Sequence, residues 1–152
     1  MKINIVCVGK MKEDFLKGAQ AEYAKMLRRF CTLNIVELAD EPDSAGAKAA
    51  RSREGERILP RLEGCVISCD IRGKKMSSED FAGKLQSFML DGVSTVTFVI
   101  GGSNGIADEV LEKSRLRLSF SDMTLPHRLF RIVLLEQVYR AFKIINRESY
   151  HK

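Results

Sequence analysis

Residues 94–105 read STVTFVIGGSNG, and this stretch decides the fold class. Its first seven residues are almost all apolar or β-branched, which predicts a buried β-strand. Glycines follow at once at Gly101, Gly102 and Gly105, and a helix is predicted directly after them. A strand that passes through a glycine loop into a helix is typical of parallel α/β sheets, which bind ligands at the carboxyl ends of their strands.

Strand and helix alternate along the rest of the chain as well. Strands are predicted over residues 2–8, 33–38, 65–71, 94–100 and 116–120, and helices over residues 12–29, 45–59, 79–90 and 127–145. This alternation predicts an α/β fold with a mostly parallel sheet flanked by helices. The second helix is mostly polar, so we expect it to be exposed and weakly anchored. The chain has no internal repeat or long linker, which predicts a single domain over residues 1–152.

The composition is that of a globular protein, with 45% hydrophobic and 30% charged residues, which excludes disorder as the main account. No run of about 18 apolar residues is present, so we expect no membrane helix. The first residues lack the features of a signal peptide, which predicts a cytoplasmic protein. The four cysteines form no CxxC pair and the two histidines complete no zinc spacing. We therefore expect buried thiols and no metal, with a redox pair or metal site as the alternative.

The net charge of +5 is concentrated near the carboxyl end of the chain. Residues 126–152 carry six basic and two acidic side chains, so this segment holds +4 of the total. Clustered cations attract polyanions, which favours an anionic partner. From charge alone, an ordinary solvated helix face explains the segment equally well.

The glycine loop matches neither of the common phosphate-binding motifs. Its spacing is Gly-Gly-x-x-Gly rather than GxGxxG, and no GK[ST] follows it. Asp108 and Glu109 begin the next helix, where they would repel a phosphate at the helix N-terminus. The loop therefore favours a nucleoside or amino-acid ligand, and the alternative is a tight turn that needs glycine only for its geometry.

Residues 127–145 form an unusually apolar helix, with twelve apolar side chains among nineteen. A helix that is apolar most of the way round is buried on several sides. This predicts a homodimer interface, with a central core helix as the alternative. The polar tail that follows contains Tyr150 and His151, and it either frays or closes over a site.

Three motifs together resemble a known family. They are IGGSNGI at residues 100–106, LSFSDMTLPHRLFRIVLLEQVYRAFKI at residues 118–144, and SYHK at residues 149–152. The whole chain resembles the bacterial ribosomal RNA large-subunit methyltransferase H family, within the SPOUT class of S-adenosylmethionine-dependent methyltransferases. The resemblance implies a SPOUT fold with a C-terminal trefoil knot and a homodimer with S-adenosylmethionine bound in the knot. It also implies methyl transfer to N3 of a pseudouridine in 23S ribosomal RNA of the assembled ribosome.

The family's cofactor contacts carry over to named positions of this chain. One contact falls on Cys69 and another on Gly101. The knot segment that wraps the cofactor falls on Phe120, Ser121, Asp122, Met123, Thr124 and Leu125. Relatives usually carry Leu where this chain has Cys69, so the smaller side chain implies a looser adenine pocket.

The implied reaction needs a group that helps an N–H nucleophile lose its proton, and it needs no metal. His151 has a proton affinity suited to pH 7. Arg140 is placed to stabilise negative charge on the uracil ring or to hold a phosphate. Tyr150 is suited to stack on a base or hydrogen-bond to it. The structural alternatives are an Arg140–Glu136 ion pair, a helix cap by His127 and a disordered tail.

Two other functions fit part of the sequence. One is a SPOUT methyltransferase that acts on transfer RNA or another RNA. The other is a basic RNA-binding module without catalytic activity. The basic tail fits all three functions, whereas the glycine loop together with the knot segment fits only the enzymes.

Overall fold

All the strands and helices expected from the sequence are present in the computed structural model, which describes residues 1–150. The strands are β1 (Lys2–Val8), β2 (Thr32–Leu38), β3 (Cys65–Lys75), β4 (Thr95–Ile100) and β5 (Leu116–Ser119). The α-helices are α1 (Asp14–Leu27), α2 (Ala47–Ile58), α3 (Ser78–Leu90), α4 (Asp108–Glu112) and α5 (His127–Ile145). Short 3₁₀ helices at Asp43–Ala45 and Leu59–Arg61 flank α2.

The five strands form one parallel sheet in the order β2–β1–β4–β3–β5. Ile3, Ile5 and Phe98 point to the face covered by α1, α3 and α5. Val6 and Val99 point to the opposite face, which α2 and α4 cover. The structure therefore confirms an α/β fold whose parallel sheet has helices on both faces, while the trefoil knot stays a prediction.

The last helix, α5, packs against both α1 and α3. Leu134, Val138, Ala141 and Phe142 are fully or almost fully buried there within one chain. Much of the apolar surface of α5 therefore serves the core of its own chain, as the central-helix alternative expects. The homodimer stays a prediction.

The expectation that α2 is weakly anchored was wrong. Ala50, Glu54, Gly55 and Ile58 are all buried. A Cβ added at Gly55 would lie 2.7 Å from the Cβ of Ala107, so glycine allows α2 to pass close to the start of α4. The hydrophobic pattern missed this contact because the buried positions hold small or charged residues as well as one large apolar side chain.

Strand β3 runs four residues beyond its expected end at Ile71. Its pairing with β5 is interrupted after Cys69 and resumes at Lys74, which pairs with Leu118. A Cβ added at Gly73 would lie 2.6 Å from the carbonyl carbon of Arg117, so glycine permits this close approach of the two backbones. The polar sequence of the extension concealed it from an analysis based on apolar runs.

Candidate active site

The register of the sheet brings the three expected cofactor-binding segments to one edge. Cys69 of β3 lies opposite Ile100 of β4 and opposite Leu118 of β5. Gly101 and Phe120 follow these two partners by one and two residues. Because the strands are parallel, their carboxyl ends meet at the same edge, where open α/β sheets bind ligands.

The glycine loop, residues 101–105, is a tight turn. The Gly105 N–H donates to the Gly102 carbonyl at 3.1 Å, and Gly105 has a φ of +86°. A Cβ added at Gly101 would lie 2.5 Å from the carbonyl oxygen of Gly105. The loop therefore needs glycine for its own geometry. Gly101 is buried, whereas Gly105 is exposed at the sheet edge.

A buried carboxylate, Glu54 of α2, lies directly beneath the glycine loop, and it could not be told from the other charged residues of α2 by sequence alone. Glu54 accepts a hydrogen bond from the backbone N–H of Glu41 through Oε1 at 3.1 Å, while its buried Oε2 has no partner. A Cβ at Gly102 would lie 3.0 Å from Oε1. Burial raises the pKa of Glu54, so this carboxyl supports the loop in an environment that disfavours its charge.

Residues 120–125 leave β5 at this same edge and lead into α5. The hydroxyl of Ser121 accepts a hydrogen bond from the backbone N–H of Met123 at 3.0 Å. Phe120 packs on Phe130 of α5 with its ring centre 4.8 Å away. Asp122 forms an ion pair with Lys75. The segment is thus attached to α5 and β3, while the side chains at 122–124 remain exposed.

The cysteines are all free thiols. Cys7, Cys31 and Cys65 are buried, which confirms the expectation for these three, and Cys69 is half-buried at the sheet edge where the expected cofactor-binding segments meet. Desolvation by burial raises the pKa of Cys69. At neutral pH its thiol is protonated and offers an apolar contact rather than a nucleophile.

The candidate catalytic residues Arg140 and Tyr150 meet at a single carboxylate. Arg140 donates to Glu136 Oε1 from Nη2 at 2.7 Å and from Nε at 3.0 Å. The hydroxyl of Tyr150 donates to Glu136 Oε2 at 2.9 Å. The guanidinium carbon of Arg140 also lies 4.9 Å from the centre of the Tyr150 ring. The ion pair along α5 is therefore present, and the hydrogen bond to Glu136 holds Tyr150 against it. His151 lies outside the described residues.

Glu136 organises two tyrosines, of which Tyr23 was missed at the sequence level. Burial, then the hydrogen bond to Glu136, raises the pKa of both Tyr150 and Tyr23. Both phenols therefore keep their protons at neutral pH and act as hydrogen-bond donors. Tyr23 was missed because it reads as one more apolar position of α1, and only the packing of α1 on α5 brings it to Glu136.

The structure does not bring the two groups of candidate residues together within one chain. His127 begins α5 directly after the expected cofactor segment, residues 120–125, and Pro126, and Arg140 lies thirteen residues further along the helix. At about 1.5 Å per residue, this separation is about 20 Å. Cys69, Gly101 and residues 120–125 thus form one half of a site, and the Arg140–Tyr150 cluster forms another.

A buried arginine fixes the start of α5, and the sequence did not indicate it. Arg131 is fully buried; it donates to Glu37 Oε2 at 2.7 Å and to the Gly9 carbonyl at 2.9 Å. His127 approaches the same glycine, and its Nε2 is buried without a partner. Desolvation, then Arg128 and Arg131, lowers the pKa of His127. At the level of sequence, the burial of Arg131 was indicated only by its position among the apolar residues of the run 127–145.

At this edge of the sheet a glycine loop lies beside residues 120–125, which lead into the last helix, so the expected cofactor-binding segments share one side of the sheet. A family model described as predicted SPOUT methyltransferase matches residues 1–151. The chain therefore belongs to the SPOUT methyltransferase family.

Named relatives cover the whole chain. Ribosomal RNA large subunit methyltransferase H of Clostridium botulinum (strain Hall) is 50% identical over 159 aligned residues, which include 100% of both sequences. The protein of the same name from Acetivibrio thermocellus is 52% identical with the same coverage.

Solved structures share the fold at low sequence identity. A probable methylase family protein from Haemophilus influenzae superposes with a TM-score of 0.58 at 15% identity, over 95% of this chain. A Legionella pneumophila protein described as a putative methyltransferase, solved with bound SAM, superposes with a TM-score of 0.51 at 13% identity, over 93% of this chain. The chain spans 66% of the length of each of these two structures, and the likeness shows the fold alone.

Two further properties of residues 1–150 bear on the site. No helix in this range is long and apolar enough to cross a membrane. The same residues contain no group of three or more His, Cys, Asp or Glu side chains placed to hold a metal ion.

Proposed function

We propose that this chain is an S-adenosylmethionine-dependent methyltransferase of large-subunit ribosomal RNA, acting as a single domain over residues 1–152. The finer assignment, from the family resemblance, is methylation of N3 of a pseudouridine in the assembled ribosome. The observation that carries the proposal is the meeting of Cys69, Gly101 and residues 120–125 at one sheet edge. The relatives' shared name, at about half identity over the full length, supports the choice of ribosomal RNA.

The cofactor edge fits a nucleoside ligand. The three glycines of the tight loop at 101–105 bring backbone donors and acceptors to this edge without side chains of their own, and Cys69 offers a small, protonated thiol beside them. Residues 120–125 supply an apolar ring at Phe120 and exposed side chains that are positioned to enclose the ligand. When bound there, S-adenosylmethionine supplies a methyl group already activated by its sulfonium.

The Arg140–Tyr150 cluster is suited to the nucleotide. Arg140 has a planar guanidinium that can stabilise negative charge as it develops on the uracil ring. Tyr150 presents an aromatic ring and keeps its proton, because its pKa is raised. His151, named by the resemblance, has the proton affinity needed to accept the N3 proton near pH 7.

A homodimer would join the two half-sites. Because about 20 Å of helix separates them in one chain, the methyl donor and the Arg140–Tyr150 cluster can meet only if a second copy contributes one of them. Leu129 and Met123 leave apolar surface exposed near the start of α5, beside the cofactor segment. We infer that this surface contacts the tail-bearing half of the partner in a two-fold arrangement.

The direct test is methylation of ribosomes that lack the modification, with the product located by mass spectrometry. Large subunits, free ribosomal RNA and transfer RNA are each supplied separately with S-adenosylmethionine, at the pH and salt concentration of the cytoplasm. Methyl transfer to N3 of one pseudouridine in large subunits supports the proposal. Transfer to transfer RNA alone, or no transfer despite cofactor binding, contradicts it.

A further inference from the structure

The carboxyl-terminal segment 126–152 supplies less free positive charge than its sequence indicates. Arg128, Arg131, Arg140 and Lys143 each form an ion pair with a carboxylate in the folded chain. Arg131 is also buried and inaccessible to any ligand. Among the described residues of this segment, Arg147 is the one basic side chain that is exposed and forms no ion pair. A polyanionic substrate would therefore gain from cations on another surface.

The β3 extension provides such a surface. Its sequence RGKK, residues 72–75, contains three cations in four residues. Arg72 forms a long ion pair with Asp70 at 3.9 Å, so Lys74 is the cation of the extension that has no carboxylate partner among residues 1–150. Arg72, Lys74 and Lys75 are exposed, and Gly73 lets the extension lie against the backbone of β5. The ion pair between Lys75 and Asp122 connects the extension directly to the cofactor segment.

A groove of about 400 Å³ separates this extension from α3. Three lysines line it, Lys74, Lys75 and Lys84, against one carboxylate, Asp80. Among residues 1–150, neither Lys74 nor Lys84 forms an ion pair. The ammonium of Lys84 lies 5.1 Å from the centre of the buried Phe88 ring, which holds the cation at the groove.

We propose that this β3–α3 groove binds backbone phosphates of the ribosomal RNA strand that carries the target nucleotide. Cations without carboxylate partners gain most from phosphate contact, because no existing ion pair has to be broken. Phosphate contacts fix the position of a strand without reading its sequence. The groove adjoins the cofactor segment through Lys75 and Asp122, so a strand held there lies beside the methyl donor. This inference rests on the proposed function.

The test compares three double variants with the wild type. Lys74→Ala/Lys84→Ala removes both unpaired cations, and Lys74→Arg/Lys84→Arg keeps the charge. Lys12→Ala/Lys48→Ala removes two exposed lysines from other surfaces and serves as the matched control. Single-turnover methylation of unmodified large subunits is measured as a function of subunit concentration and of KCl concentration. Calorimetry with S-adenosylmethionine verifies that every variant is folded and binds the cofactor.

The alanine variant of the groove is expected to need about tenfold more subunits for half-saturation, at an unchanged saturating rate. The slope of log affinity against log salt should fall by about 1.4 to 1.8, since each lost phosphate contact contributes about 0.7 to 0.9. The arginine variant and the control should match the wild type. Unchanged half-saturation and slope in the alanine variant would overturn the inference.

Two further outcomes separate the inference from the proposed function. If the alanine variant binds protein-free large-subunit RNA as tightly as the wild type but binds subunits more weakly, the groove contacts a ribosomal protein and the RNA assignment is wrong. If the wild type transfers no methyl group to subunits, the proposed function fails and the inference falls with it. If the wild type is active and the alanine variant of the groove has the same half-saturation and salt slope, the proposed function stands and the inference alone fails.

Discussion

The hydroxyl of Tyr150 donates a hydrogen bond to the carboxylate of Glu136, which lies fourteen residues earlier in the chain. The same carboxylate holds Arg140 through its other oxygen. Glu136 thus attaches the end of the chain to α5 and aligns an aromatic ring with a guanidinium.

Removing the tail should separate cofactor binding from chemistry. Deleting residues 149–152 is expected to reduce single-turnover methyl transfer by about 100-fold or more, because the alignment of base and donor is lost. Tyr150→Phe keeps the ring and loses only the hydrogen bond to Glu136, so its rate should fall by about tenfold. Cofactor affinity, measured by calorimetry, should not change in either variant. A truncated protein as fast as the full-length one would exclude the tail from the site.

Gly101→Ala should weaken cofactor binding and also reduce stability. The new Cβ would lie 2.5 Å from the Gly105 carbonyl oxygen, so the loop has to shift, at a cost of about 1–3 kcal/mol in the free energy of unfolding. Gly18→Ala is the control, because no atom lies within 4 Å of its added Cβ and alanine stabilises a helix by about 0.5–1 kcal/mol. Urea unfolding and calorimetry measure both effects. Normal cofactor affinity in the Gly101 variant would remove the loop from the site.

Arg131→Met should lower the free energy of unfolding by about 3 kcal/mol, because it leaves Glu37 and the Gly9 carbonyl without their buried donor. This value is at the low end of the cost of breaking a buried ion pair, because Glu37 is partly exposed to water. Arg28→Met, at an exposed position, should change the free energy by less than about 0.5 kcal/mol. Equal urea midpoints for these two variants would show that the buried contacts contribute little.

The pH dependence of stability should contain a contribution from His127. Burial, then Arg128 and Arg131, lowers its pKa in the folded state, and Asp40 and Glu13 oppose this shift. A depressed histidine pKa means that the unfolded chain binds the proton more readily, so this contribution is complete above pH 6.5 and is lost as the pH falls below it. His127→Gln should therefore lose less stability than the wild type between pH 7.5 and about pH 5.5. Parallel urea titrations at the two pH values measure the difference.

Mixing two inactive variants tests the shared site. Gly101→Ala chains retain a normal tail, and chains lacking residues 149–152 retain a normal cofactor edge. In an equimolar mixture half of the dimers are mixed, each with one intact site, so about a quarter of the wild-type activity should return. Light scattering should report about twice the 17.1 kDa of one chain. A 17.1 kDa species, or no recovery of activity, would contradict the homodimer.

Local periodicity predicted the elements well, because it depends on neighbouring residues. The helix at residues 127–145 has the expected bounds, and β4 begins within one residue of its expected start. The strand order β2–β1–β4–β3–β5 was beyond this method, since pairing of distant strands leaves no periodic signal in either one. The anchoring of α2 was missed for a related reason: Gly55 and Glu54 are buried by contacts with residues about fifty positions away.

The site was predictable in part. The resemblance named Cys69, Gly101 and residues 120–125, and the sheet register places all three at one edge. Glu54, Arg131 and Tyr23 were not predicted, because a charged or aromatic residue within a helix reads as solvent-exposed or apolar until its distant partners are known. The separation of the two half-sites along α5 could not be predicted either, because sequence motifs do not specify distances between residues in the fold.

The length of α5 between the two half-sites has a kinetic consequence. In the proposed homodimer, the cofactor edge and the tail of one chain belong to two different active sites. An isolated chain therefore has no complete site and turns over no substrate. At high dilution the rate then rises with the square of the chain concentration, and specific activity falls as the enzyme is diluted. A newly translated chain is inactive until it dimerises. The concentration of the protein therefore sets when methylation begins as well as how fast it proceeds.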